Sequence, residues 1–143
     1  MEEVLPNIWI GAGNAVPRDF CRTHGIQLLY HCGGPRLSVG ADLANHTTHH
    51  SLSNDDKSLL EATGHLATAY KTLAPTLLYC ETGNQAAATL VAAFLIRYTG
   101  MDWKTAIRIL QTKRATAFRP GIWRADFLEK LCTSCHPQSL ESL

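Results

Sequence analysis

The sequence predicts a layered α/β fold, and three observations carry that prediction. Short apolar runs typical of strands recur between segments with helical periodicity. One long stretch, residues 86–98, is almost wholly apolar, which is typical of a helix hidden in a core. The chain has 143 residues, 45% of them hydrophobic, enough to bury a core of its own. We therefore expect one domain over residues 1–131, followed by a tail over residues 132–143.

The elements predicted for the first part of the chain are short. Strands are expected at 4–10 and 26–30, because both runs are rich in aliphatic and aromatic residues. A short helix is expected at 16–24. The segment 31–50 is rich in turn-forming and polar residues, with an edge strand that ends near Leu52.

Four helices and one buried strand are predicted for the rest of the chain. The first helix begins with a capping box of Ser58 and Glu61 and ends at Pro75, and a buried strand over 76–79 follows it. The buried helix spans 86–98, and the last helix spans 122–131. Between these two, a helix capped by Asp102 is expected to direct Arg108, Lys113 and Arg114 toward solvent.

Charge and composition argue against several classes of function. A net charge of +1 gives no basis for binding nucleic acid or an anionic membrane. No apolar run reaches the roughly 20 residues that span a bilayer, and the acidic start with an early proline is unlike a secretion signal or transit peptide. Five cysteines, an odd number, are unlike a secreted disulfide framework. We therefore expect a cytoplasmic protein in a reducing compartment, without cofactor or metal.

The segment most informative about function joins the buried strand to the buried helix. A strand that runs into Cys80 and on into a helix delivers successive backbone N–H groups to the positive end of that helix. This is the geometry of an anion site and of reactive cysteines. Gly83 permits the tight turn that such a loop needs. The loop, called here the 80–87 loop, consists of Cys80, Glu81, Thr82, Gly83, Asn84, Gln85, Ala86 and Ala87.

The chain resembles the dual-specificity phosphatases, which are cysteine-based protein tyrosine phosphatases. The spacing after Cys80 is similar to their signature, in which histidine and cysteine precede five residues, an arginine and a serine or threonine. Segments 5–11, 25–30 and 113–131 resemble, in order, the family's opening strand, its second strand and its closing segment. The resemblance implies a three-layer α/β sandwich with a central, mostly parallel sheet and flanking helices.

The departures from this signature concern its reactive groups. Ala86 stands where the arginine belongs, Ala87 where the hydroxyl residue belongs, and Tyr79 where the histidine belongs. In the family the thiolate attacks phosphorus, and the arginine holds two phosphate oxygens in the transition state. Losing one such group typically costs about 100- to 1000-fold in rate, and Glu81 adds a negative charge that opposes a dianion. Cys80 is therefore predicted to be a vestigial nucleophile.

The resemblance also implies a general acid just after the edge strand, where this chain has Asn54, Asp55 and Asp56. Counted from Leu52, the position falls on Asn54 or Asp55, and we favour Asp55. The alternative interpretation is that Asp55 and Asp56 precede a helix N-terminus and suit its dipole.

Three other motifs have simpler interpretations. Residues 31–34 (His-Cys-Gly-Gly) imitate the start of a phosphatase loop, but no arginine and no buried helix follow at the right distance, so we treat them as a decoy. His46, His49 and His50 have no carboxylate or cysteine at ligand spacing, which favours a solvated loop over a metal site. Residues 132–136 spell a haem-attachment pattern and are interpreted as an ordinary tail.

Three functions are compatible with these features. The first, which we favour, is a catalytically inactive or severely impaired phosphatase domain, a pseudophosphatase, that serves as a protein-binding or structural module, alone or in a larger assembly. The second is a slow phosphatase that uses Cys80 and is assisted by Arg119 or by a partner's arginine. The third is a redox-sensing thiol protein. We expect a protein partner, with the basic flank around Arg114 and Arg119 as the first candidate surface.

Overall fold

A five-stranded sheet forms the centre of the computed structural model, which describes residues 1–13, 18–38 and 46–134. The strands are β1 (Glu2–Leu5), β2 (Ile8–Ala12), β3 (Leu28–His31), β4 (Thr48–Ser51) and β5 (Thr76–Cys80). They lie in the order β1-β2-β5-β3-β4. β1 pairs antiparallel with β2, and the other neighbours are parallel. The mostly parallel sheet and the central place of the strand before the 80–87 loop are therefore confirmed.

Helices cover both faces of the sheet. They are α1 (Arg18–Thr23), α2 (Asp56–Lys71), α3 (Ala86–Thr99), α4 (Trp103–Lys113) and α5 (Ala125–Ser134). The larger core lies between the sheet and helices α2 to α5, and the smaller one lies under α1. Side chains of β5 alternate between these cores, so that Cys80 faces the larger and Tyr79 the smaller. The predicted three-layer sandwich is confirmed.

Helix α3 is the most deeply buried element that follows the loop. Twelve of its 14 residues are buried, because the sequence offers no polar stripe that could face water. Phe94 is 2% exposed and Leu95 is 6% exposed, as predicted for a core helix. The helix ends at Gly100, which has a left-handed φ of 73°.

The predicted first strand over 4–10 is wrong in one respect, because it is a hairpin of two strands. Pro6 has no N–H to donate to a ladder, and Asn7 adopts a φ of 64°, a conformation that asparagine tolerates in turns. The Asn7 N–H donates to Glu3 Oε2 over 3.0 Å. The chain therefore reverses between β1 and β2 and places Glu2 at the edge of the sheet.

The boundaries of two helices also differ from the prediction. Helix α2 starts earlier than Ser58, because Asp55 is its N-cap and its Oδ1 accepts a hydrogen bond from the Ser58 N–H over 2.7 Å. Helix α5 begins at Ala125, after the predicted start at residue 122, and runs to Ser134, past the predicted boundary at residue 131. Residues 135–143, with most of the predicted tail, lie outside the described residues, as do residues 14–17 before α1.

Within the described ranges, no helix is long and apolar enough to cross a membrane. In the same part of the chain, no group of three or more histidine, cysteine, aspartate or glutamate side chains is placed to hold a metal ion.

Candidate functional site

A cavity of about 320 Å³ lies where β3 and β5 end, and we call it the Cys80 cavity. Because these two strands are parallel neighbours, the segments that follow them emerge at the same edge of the sheet. The 80–87 loop and the segment after β3 thus face one space. The lining residues are Cys32, Gly33, Gly34, Asn54, Cys80, Glu81, Thr82, Gln85, Ala86 and Trp123.

The 80–87 loop curls around the Cys80 thiol. The Gly83 N–H donates to Cys80 Sγ over 3.2 Å. Gly83 has a φ of 78°, and a Cβ added there would lie 2.8 Å from the carbonyl carbon of Gly11 and 2.6 Å from Arg114 Nη2. Only glycine fits this position, since both the backbone angle and the close approach of β2 exclude a side chain.

Arg114 braces the loop from outside the cavity. Its Nη2 donates to the Thr82 carbonyl over 2.9 Å, its Nε donates to Asn84 Oδ1 over 3.1 Å, and its Nη1 forms an ion pair with Glu2. The side chain is only 11% exposed. The prediction that Arg114 faces solvent is therefore wrong, because its guanidinium is used within the fold.

The position of the missing arginine lies at the cavity itself. Ala86 lines the cavity and is 7% exposed, and Ala87 behind it is fully buried. Among the described residues that line the cavity there is no arginine, lysine or histidine, and the one charged side chain is the exposed Glu81. The described lining of the cavity therefore offers no cation that could neutralise a phosphate.

The two other nearby arginines do not supply that cation. Arg119 is exposed and contributes its backbone carbonyl, which accepts a hydrogen bond from Gln85 Nε2 over 2.6 Å. Arg124 is engaged by two carboxylates, with Nε 3.0 Å from Asp126 Oδ1 and Nη2 2.5 Å from Asp56 Oδ1. Hydrogen bonds from Arg124 hold the pKa of both carboxyl groups below their usual range, and those two partners raise the pKa of Arg124.

The segment after β4 brings Asn54, rather than Asp55, to the cavity. Asn54 is a lining residue, and its carbonyl accepts a hydrogen bond from Arg124 Nη1 over 2.7 Å. The Asp55 carboxylate instead caps helix α2. Because a carboxamide has no acidic proton to give, the residue at the cavity cannot act as a general acid. The helix-capping interpretation of Asp55 agrees with its contacts.

Tyr79, which stands in place of the family's histidine, faces away from the cavity and is fully buried. Its hydroxyl accepts a hydrogen bond from the Leu37 N–H over 3.0 Å and lies 2.7 Å from His49 Nε2. Burial raises the pKa of Tyr79. His49 and His50 belong to β4 and are partly buried, so the prediction of a solvated loop is wrong for these two and holds for the exposed His46.

Sequence reasoning missed the contribution of residues 31–34 and of Trp123. The decoy motif is not a second phosphatase loop, but Cys32, Gly33 and Gly34 line the Cys80 cavity. In the parallel register His31 pairs with Tyr79, so Cys32 follows beside Cys80. Burial, with the nearby Cys80 as a smaller cause, raises the pKa of Cys32 well above its ordinary value. The available signal was position, because Cys80 ends one strand and Cys32 directly follows its neighbour.

Comparison with known proteins identifies the fold as that of the dual-specificity phosphatases. The solved structure of human DUSP28 superposes with a TM-score of 0.76 at 18% identity, covering 92% of this chain and 95% of that one. DUSP15 gives 0.75 at 17%, covering 94% and 88%. The human tyrosine phosphatase-like serine/threonine/tyrosine-interacting protein gives 0.73 at 16%, covering 92% of each chain. No protein-family profile and no curated protein sequence matches the chain.

Proposed function

We propose that this chain is a pseudophosphatase, a dual-specificity-phosphatase fold without phosphatase activity that acts as a protein-binding module. One observation carries the proposal: the described residues around Cys80 present a carboxylate, Glu81, and no cation. Phosphoryl transfer depends on positive groups that stabilise charge on the phosphate oxygens. The 80–87 loop has the Cys80 thiol and folds around it, but it has no arginine that would bind and activate a phosphate dianion.

The arrangement of neighbouring arginines supports the same proposal. Arg114 and Arg124 are tied to Glu2, Asp56 and Asp126, so recruiting either one would break buried or bidentate contacts. Asn54 offers no proton to a leaving group. The alternative proposal, a slow phosphatase, depends on assistance from Arg119. Its exposed side chain would have to move into the cavity to provide that assistance.

A protein partner would meet the rim of the Cys80 cavity and the basic side chains of α4 and of the segment that follows it. Arg108, Lys113 and Arg119 are exposed, whereas Arg114 is removed from this surface by its contacts with the loop. The proposed surface therefore combines the Glu81 rim with a flank of positive charge from α4 and the segment after it. Mixed charge of this kind suits a polar protein surface rather than a polyanion.

The wild-type chain should hydrolyse an activated aryl phosphate at a rate indistinguishable from that of the Cys80→Ser variant. An activated leaving group removes the need for a general acid, so the measurement reports on the 80–87 loop itself. The same two proteins should retain the same partner in affinity purification from cells, because this binding does not use the thiol. A vanadate-sensitive rate that depends on Cys80 would overturn the proposal and favour the slow phosphatase.

A second candidate function, thiol redox sensing, is favoured by the register that sets Cys32 beside Cys80. The Cys32 N–H donates to the Tyr79 carbonyl over 2.8 Å, which holds the two strand ends together. Neighbouring strands lie about 4.8 Å apart, within the roughly 4.4–6.8 Å between Cα atoms that a disulfide spans. A hydroperoxide would oxidise the Cys80 sulfur to a sulfenic acid and be reduced to an alcohol or water, and the Cys32 thiol would then displace water from the sulfenic acid to form the disulfide.

Treatment with hydrogen peroxide should lower the mass of the intact chain by about 2 Da through loss of two hydrogens. The Cys32→Ser variant should instead accumulate sulfenic or higher oxides at Cys80. The Cys21→Ser variant is the matched control, because Cys21 belongs to α1 and is buried in the smaller core, away from the Cys80 cavity. If Cys32→Ser still loses the two hydrogens, the Cys32–Cys80 pair is excluded.

A further inference from the structure

The segment 33–37, called here the wall segment, lies between two cavities that share Cys80 in their lining. Its first two residues line the Cys80 cavity. A second cavity, of about 340 Å³, is lined by Gly13, Gly33, Pro35, Leu37, Cys80 and Glu81. A Cβ added at Gly34 would lie 3.1 Å from the Cα of Glu81, so the segment packs directly on the 80–87 loop. Its position therefore decides the shape of the space around the thiol.

The wall segment is held by a small set of polar contacts to the sheet. The Tyr79 hydroxyl accepts from the Leu37 N–H over 3.0 Å, and His31 Nε2 lies 2.6 Å from the Gly34 carbonyl oxygen. Arg36 donates to the His49 carbonyl over 3.1 Å and also to the Ser51 hydroxyl. The far end of the segment thus depends on the Tyr79 hydroxyl and on β4.

The protonation state of His49 determines whether the Tyr79 contact is satisfied. A backbone N–H can only donate, so the Tyr79 hydroxyl accepts from Leu37 and its own proton is available for His49 Nε2, 2.7 Å away. This requires a neutral His49 with an unprotonated Nε2. A doubly protonated ring would be a second donor to the same hydroxyl, and the hydroxyl proton would lose its acceptor.

The surroundings of His49 oppose its protonation. The described groups that act on it are Arg36 of the wall segment, His31 of β3 and its neighbour His50, while Tyr79 of β5 is its hydrogen-bond partner. His50 is itself stacked on His65 of α2, with ring centroids 4.5 Å apart. Burial first, and then the positive charge of Arg36, lowers the pKa of His49 from 6.5 to about 4.

We propose that Tyr79 is a positioning residue that fixes the wall segment of the Cys80 cavity, and that protonation of His49 releases it. The direction of the pH dependence follows from the depressed pKa of His49. The closed arrangement favours the neutral imidazole ring, whereas in an opened arrangement His49 would take up a proton near its ordinary pKa of 6.5. The contact is therefore fully present above about pH 6.5 and is lost as the pH falls toward 4. If this switch regulates partner binding at the Cys80 cavity, that role rests on the proposed function. The contact between Tyr79 and Leu37 does not depend on it.

Amide hydrogen exchange at Leu37 tests the proposal without any partner. Its protection factor, corrected for intrinsic exchange, should fall about tenfold between pH 7 and pH 5 in the wild-type chain. His49→Gln keeps an acceptor for the Tyr79 hydroxyl but does not titrate, so its protection should change less than about twofold. Tyr79→Phe should already be poorly protected at pH 7. His46→Gln, at an exposed histidine just before β4, is the control and should behave as wild type.

The proposal is overturned if His49→Gln retains the wild-type dependence on pH, if the wild-type protection does not change, or if Tyr79→Phe protects Leu37 as well as tyrosine does. Circular dichroism at pH 7 establishes that each variant is folded. Should Tyr79→Phe fail to fold, His49→Gln alone decides the outcome. Failure of this exchange test leaves the proposed function standing, and a Cys80-dependent phosphatase rate would remove the proposed function while leaving the exchange result intact.

Discussion

The Ala86→Arg variant is expected to gain a Cys80-dependent burst of product from an activated aryl phosphate, followed by slow turnover. Ala86 lines the cavity, so an arginine there can extend toward the thiol that the Gly83 N–H already contacts. Restoring the guanidinium fork should raise the rate of the first step about 100- to 1000-fold over wild type, and the Cys80→Ser, Ala86→Arg double variant should show no burst. The measurement is rapid-mixing kinetics, with mass spectrometry to detect the trapped phosphocysteine.

Slow turnover is expected because Ala87 supplies no hydroxyl to assist departure of the thiolate. Adding Ala87→Ser should therefore speed the steady state more than the burst. Ala86→Met is the matched control, since it adds length without charge and should stay inactive. Full multiple turnover by Ala86→Arg alone would show that the hydroxyl is unimportant. Inactivity of the Ala86→Arg, Ala87→Ser variant would mean that the 80–87 loop no longer forms a phosphate cradle.

The Gly83→Ala variant is expected to lose roughly 3 kcal/mol of unfolding free energy, from backbone strain and a steric clash together. The added Cβ would lie 2.8 Å from the Gly11 carbonyl carbon and 2.9 Å from its oxygen, and backbone atoms of a central strand cannot move aside as a side chain can. The displaced loop would also lose its contacts with Arg114. Chemical denaturation followed by circular dichroism gives the free energy of unfolding.

Gly25→Ala separates the two contributions to this loss. Gly25 has a φ of 60°, and nothing lies within 4 Å of a Cβ added there. It should therefore lose only the cost of the left-handed backbone, about 1 kcal/mol. The difference between the two variants measures how tightly the loop is packed. Equal losses would contradict the close approach of β2 to the 80–87 loop.

The main features of the fold could be predicted because they depend on neighbours in the chain. The apolar run over 86–98 has no polar face, so a helix formed by it must be buried on all sides, and helix α3 is. The central place of the strand that runs into Cys80 could also be predicted, because an uninterrupted apolar run suits a strand covered on both faces. The loss of the arginine at position 86 is likewise a fact of the sequence, and no packing restores it at that position.

The roles of individual polar residues could not be predicted in the same way. Arg114 has the spacing of a solvent-facing helical residue, yet its side chain is only 11% exposed and pairs with Glu2 of an edge strand at the other end of the chain. Asp55 and Asn54 are equally polar and adjacent. Only the start of helix α2 decides that the carboxylate is used as a cap while the carboxamide meets the cavity.

The sequence by itself determined the α/β class, the strand-loop-helix unit around Cys80 and the absence of its arginine, because these depend on local periodicity and residue identity. Only the tertiary structure decided that Cys32 lies beside Cys80 and that Tyr79 contacts both Leu37 and His49. It also decided that Arg114 donates hydrogen bonds to the 80–87 loop. These are contacts between residues far apart in the chain, set by parallel strand register and by packing. Residue type and spacing did not show which strands are neighbours or which polar side chains meet across them.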